Sequence, residues 1–268
     1  MPRRPAPTAF ERYSSEGALV LAGGAAILLQ LGDPVVAAGV AAHSAFARDP
    51  MRRLRGTMQY VYAIGLGDGE QRALVAGSVD RAHAGVPGAR DAEHQLWVAA
   101  TLYEVGRGWH ERLFGPMGDD LADEVYAASA RLGTALQLPD GAWPGDRAAF
   151  ARYWAEAVAG LEVGAEARQV AAQLLHPAAG PWWMRAAMPL GRVLTAGLLP
   201  DAVRVAYGLP HRPRAFAAAT AFVRVLVRVV PFRLRSLPAG RLLAELAARA
   251  GRSGRPVEPD LAAGGGAP

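Results

Sequence analysis

From residue 16 to residue 250 the apolar residues of this chain recur at three- and four-residue spacing, and the runs they form are cut by proline and glycine. No run alternates with a period of two, so nothing in it reads as a strand. A chain patterned this way hides its apolar stripes by packing helix on helix. The punctuation predicts helices over 17–31, 34–46, 50–66, 70–86, 92–113, 119–136, 146–161, 164–175, 182–194, 200–207, 213–230 and 239–250. Asp33 before Pro34 and Asp49 before Pro50 are N-cap signals with proline at the first helical position. Asp119 and Asp120 give the helix they open an acidic first turn. In the long 92–113 helix, Leu96, Trp97, Ala100, Thr101 and Val105 form the side expected to face the core.

Nothing resembling a linker interrupts this pattern, and no repeat of fixed period is visible. The expected organisation is a tail with an opening turn over 1–15, one all-α domain over 16–251, and a disordered tail over 252–268 that ends in GGGAP. With just over half of its 268 residues apolar, the chain can bury a large core.

Two absences narrow the chemistry. The chain has no Cys, which excludes disulfides, iron–sulfur clusters, thiolate-ligated haem and thiol nucleophiles. All its basic residues other than histidine are Arg; with no Lys, Schiff-base and pyridoxal chemistry and the usual P-loop are excluded as well. The formal charge of +5 gathers in the last third, where Arg204, Arg212, Arg214, Arg224, Arg228, Arg233, Arg235, Arg241, Arg249, Arg252 and Arg255 meet few acids. No nucleic-acid motif or interleaved aromatics accompany them, so nucleic acid is not an expected partner. The stretch Phe222, Val223, Val225, Leu226, Val229, Val230, Phe232 is apolar as well as basic. It reads first as a buried helix edged with arginine, and second as a helix touching an anionic membrane surface. Arg3 and Arg4 are followed by Glu11, Arg12 and Glu16, and no small-residue cleavage site follows, so the expected location is the cytoplasm. The run from Ala18 to Leu31 is too short for a confident membrane span.

Of the six histidines, His83 is the one placed to do chemistry. Val75, Val79, His83 and Val86 fall on one helical stripe, which aims an imidazole where valines go. Val36, Val40 and His43 share a face of a preceding helix; Arg53, Thr57, Val61 and Ile64 share a face of the next. An inward imidazole on an apolar face is ordinarily satisfied by a carbonyl or carboxylate of the core. Three neighbouring helices that each carry an inward polar residue are also what a shared polar ligand, a metal or haem iron, would require. His94 beside Glu93 makes no metal-binding pair on one face, there is no HExxH or GxSxG, and His176 and His211 sit beside prolines at helix boundaries.

Five stretches carry a family resemblance: DPVVAAGVAAHSAFARDPMRRLRGT at 33–57, SVDRAHAGVPG at 78–88, LWVAATLYE at 96–104, YAASARLGTALQLP at 126–139 and RVLTAGLLPDAVRVAYGLP at 192–210. In order and spacing they resemble the haem-dependent oxygenases that include the latex-clearing rubber oxygenases and the fungal enzyme that cleaves the farnesyl chain in mycophenolic acid biosynthesis. The resemblance implies an all-α, globin-reminiscent bundle around haem b. It also implies oxidative cleavage of a carbon–carbon double bond in an apolar, isoprenoid-like substrate by dioxygen, with an electron donor it does not identify. It puts His83 at the iron-ligand position and Arg53 and Thr57 on the distal side, with His43 a further candidate for cofactor contact. Gly56 stands where rubber-cleaving relatives carry a lysine, Asp33 where many members have histidine, and Ala99 where the WVHATL motif has histidine. These departures leave the distal side more open and set rubber aside as the substrate. A non-catalytic haem or lipid carrier on the same scaffold is the alternative expectation.

Overall fold

The computed structural model describes residues 6–43 and 50–253, and every regular element among them is helical. In chain order these are α1 (Ala9–Ser14), a 3-10 segment (Gly17–Ala22), α2 (Gly23–Gln30), α3 (Pro34–His43), α4 (Pro50–Leu66), α5 (Gly69–His83), α6 (Ala92–Phe114) and α7 (Asp119–Thr134). Then come α8 (Arg147–Ala159), α9 (Ala165–Leu175), α10 (Trp182–Leu198), α11 (Asp201–Ala206), α12 (Pro213–Val229), α13 (Phe232–Arg235) and α14 (Leu237–Ser253).

The main core forms where α6 crosses α2. Trp97, Val105, Trp109 and Leu113 from α6 pack against Ala25, Ala26, Leu28 and Leu29, with residues of α9, α10 and α12 closing the cluster. The indoles need polar partners once buried, and they find main-chain carbonyls: Trp97 donates to Leu29 at 3.2 Å and Trp109 to Ala18 at 3.0 Å. Trp109 is fully enclosed, so truncating it would cost about 3–5 kcal/mol. In a second cluster, between α6, α7 and α8, Tyr103 meets Tyr126, Trp143 and Phe150 edge to face. The third, which carries the candidate site, joins Tyr60, Ala63 and Ile64 of α4, Val75 of α5 and Leu246 of α14.

Several expected spans are revised. The predicted helix over 17–31 is a 3-10 turn followed by α2. The change falls where Gly24 lets α10 approach so closely that a Cβ there would stand 2.3 Å from the Thr195 hydroxyl. α1 occupies residues expected as tail, and it is held by a full capping box between Thr8 and Glu11. α10 runs on to Leu198 through Pro189, which lies on an exposed stretch where water can satisfy the carbonyl that proline leaves without its N–H. α13 forms in the stretch between the expected helices 213–230 and 239–250. α5 ends at His83, so Val86 lies beyond the helix in a turn closed by its N–H to the His83 carbonyl at 2.9 Å. Asp49 and the 252–268 tail, apart from the last two helical residues of α14, lie outside the described residues.

No single helix among the described residues is long and apolar enough to cross a membrane. Gly17–Gln30 and Pro34–Ala42 would reach that length only together, and they are bent by 110°.

Candidate functional site

α4 and α5 form a hairpin whose turn is written in the sequence. Gly67 breaks α4, and Asp68 caps α5 reciprocally with Gln71, the carboxylate taking the Gln71 N–H at 2.8 Å and the Gln71 amide oxygen the Asp68 N–H at 3.0 Å. Gln71 also donates to the Leu243 carbonyl at 2.9 Å, fastening the hairpin to α14. Arg53 and His83 each lie fifteen residues from Asp68, so an antiparallel hairpin of equal rise brings them to the same level. Thr57 follows Arg53 by one turn on α4.

His83 is half-buried, and its Nδ1 is enclosed with no hydrogen-bond partner. Its pKa is lowered first by burial and then by the nearby Arg53 guanidinium, with Arg90 adding to the effect and Asp80 opposing it. The ordinary value is 6.5, so at neutral pH the imidazole is uncharged, the form that binds a metal. Arg53 and Thr57 are solvent-accessible rather than enclosed. Arg53 is nonetheless held below the usual guanidinium range by desolvation. The side chain of His43, at the end of α3, lies outside the described residues.

The position of His83 is fixed by a polar network just past the end of its helix. Asp80 accepts from Arg90 at 2.8 Å and from Gln137 at 2.6 Å. Gln137 in turn exchanges hydrogen bonds with buried Gln95 of α6, its main-chain N–H donating at 2.8 Å. Gln95 also donates to the Ala89 carbonyl at 3.2 Å. The 84–91 turn then lies on α3. Gly88 has φ +73°, and a Cβ there would meet Val35 at 2.3 Å; a Cβ on Gly39 would meet Val86 at 2.9 Å.

The start of α6 is tied to the start of α3 by His94, whose Nδ1 is 2.7 Å from one oxygen of Asp33. The other oxygen of that carboxylate caps α3, taking the N–H groups of Val35 at 2.8 Å and Val36 at 3.1 Å. The sequence pointed to Asp33 as a cap and not to this partner, which stands sixty-one residues away. A cap carboxylate has two oxygens and uses one, and that was the available signal. Gly56 faces open space, and Ala99 is buried in the second cluster. His176 caps the end of α9, and His211 is exposed.

Among the described residues no three His, Cys, Asp or Glu side chains come together to hold a bare metal ion. The arrangement instead offers one neutral imidazole at the end of α5, with a cation and a hydroxyl on the neighbouring α4. In donor chemistry this suits a porphyrin, whose iron would need only one imidazole from the protein.

The family model described as the ER-bound oxygenase mpaB/B'/rubber oxygenase catalytic domain matches residues 11–231. The uncharacterized proteins Mb2261 of Mycobacterium bovis and Rv2237 of Mycobacterium tuberculosis are each 35% identical over 224 residues, covering 77% of this chain and 88% of the relative. No solved structure matches the chain. With the match running from α1 to the end of α12 and taking in both sides of the α4–α5 hairpin, this chain belongs to the mpaB/rubber oxygenase catalytic-domain family.

Proposed function

We propose that the chain is a haem b-dependent oxygenase acting on an apolar, isoprenoid-like substrate with dioxygen, cleaving a carbon–carbon double bond. The observation that carries the reading is His83: an imidazole kept neutral by burial and by Arg53, set at the end of a helix and fixed there by a network that does not use its own nitrogens. Bound haem would supply the one-electron and oxygen chemistry that side chains lack.

The residues divide the remaining work. His83 would hold the haem iron, and the Asp80–Gln137–Gln95 chain fastens the end of α5 that carries it. Arg53 would supply positive charge on the helix that faces His83, which suits a carboxylate-bearing porphyrin or a developing negative charge. Thr57 presents a hydroxyl on the same helix, able to donate to a polar atom and to orient it. Leu54 and Val35, both exposed on α4 and α3, offer apolar surface to the substrate.

Gly56 favours a second reading. Beside Thr57 it contributes no donor and leaves open space, as in a haem or lipid carrier that does no chemistry. Oxygen uptake on addition of an isoprenoid alkene to haem-loaded, reduced protein separates the two. Uptake that is present in wild type and lost in Thr57→Val, with haem still bound, supports the oxygenase. Haem bound stoichiometrically with no uptake on any alkene tested would leave the carrier.

A further inference from the structure

We propose that the outward faces of α10 and α12 form a docking surface for an anionic lipid bilayer, through aromatic and aliphatic side chains set among arginines. The two helices are neighbours in the fold, with Gly197 of α10 pressed against Phe216 of α12.

α12 carries an apolar arc wider than the surface it buries. Ala219, Val223 and Val227 face the core. Phe222, Val225, Leu226 and Val229, spaced three and four apart, form a second stripe that is 53%, 55%, 40% and 72% exposed. At about 100° per residue this stripe adjoins the core face on one side, while Arg224 and Arg228 flank it on the other. The first half of α10, from Trp182 to Leu190, has no buried residue at all, although Arg185 is its only charge. Trp182 and Trp183 are 78% and 52% exposed. Two exposed tryptophans on one helix and an exposed aliphatic stripe on its neighbour are more apolar surface than scattered single residues leave in water. The membrane interface does, because the amphipathic indole sits best at headgroup level.

Charge identifies the kind of surface. Between residues 167 and 244 there are eleven arginines and one acid, Asp201, which is paired to Arg204 at 2.7 Å. Arg185, Arg228 and Arg233 are exposed around the apolar face, where each would meet an anionic headgroup. A nucleic acid would satisfy the arginines but leave the stripe in water. A second copy of the chain would cover the stripe while bringing the same positive field against itself.

Flotation of the full chain with phosphatidylcholine vesicles, with and without phosphatidylglycerol, tests this. The protein is expected to float with the anionic vesicles, with blue-shifted tryptophan fluorescence, and to stay behind with the neutral ones. The Arg228→Gln/Arg233→Gln pair should lower partitioning roughly 10- to 30-fold, and Trp182→Ser/Trp183→Ser should lower it while abolishing the spectral shift. The proposal is overturned if the protein ignores both vesicles, if the variants float as well as wild type, or if sedimentation shows a dimer that Trp182→Ser dissolves. Neither vesicle result depends on haem, so it stands or falls apart from the oxygenase reading.

Discussion

Arg53 depresses the proton affinity of His83 across the α4–α5 hairpin, and the two residues are equidistant in sequence from the capping Asp68 that turns it. The charge on one helix thus adds to burial in disfavouring the imidazolium on the other. Replacing Arg53 by Leu removes that field, so the His83 pKa should move up towards the ordinary 6.5. An NMR titration of the imidazole reads this directly, and an unmoved midpoint would show that burial alone sets the value.

Acid should destabilise the fold through imidazoles. The pKa values of both His83 and His110 are lowered, chiefly by burial. The unfolded chain therefore binds more protons than the native one once pH drops to the ordinary value of 6.5. Stability should fall from there downwards and level off below the folded-state values. Thermal unfolding across this range checks the slope, and His110→Gln, which leaves Tyr13 and Phe114 as ring neighbours, should flatten it.

Gly88 is the conformational weak point of the turn behind His83. Alanine there must adopt φ +73° and drive its Cβ into Val35. The expected loss is about 2–4 kcal/mol in urea unfolding. Haem retention should fall with it, since the turn follows His83 directly. Unchanged stability would mean that the turn relaxes freely.

The helical class, the break at Gly67 and the position of His83 and Arg53 on adjoining helices were legible because period, caps and breakers are local signals, whereas Arg53 and Thr57, expected to face inward, are exposed. What stayed hidden was set by tertiary contact. The 3-10 turn before α2 coincides with the close approach of Thr195 to Gly24, and His94 is drawn to Asp33 over sixty-one residues. The stripe that put Val86 in line with His83 assumed a helix that in fact ends at His83. The reading of the 222–232 stretch as a buried helix edged with arginine holds for Val223 and Val227 and fails for its outer stripe, because periodicity reports an apolar arc without saying how much of it finds a partner.

Asp33 performs two tasks, and substitution can separate them. Asp33→Asn keeps an oxygen for the Val35 and Val36 N–H groups but loses the carboxylate partner of His94; Asp33→Ala loses both. The alanine variant should cost about 1–3 kcal/mol and the asparagine variant clearly less. Equal losses in urea titrations would place the whole effect in the His94 contact.

The account rests most directly on His83 holding haem, and a visible absorption spectrum addresses it. The protein, expressed with added haem precursor, is purified and measured before and after dithionite and carbon monoxide, beside a His83→Ala variant of matched helical content. The prediction is a Soret band near one haem per chain that shifts on reduction and again with carbon monoxide, and that is lost in the variant. A protein that stays colourless after haem titration, or a variant that keeps full occupancy, would contradict it.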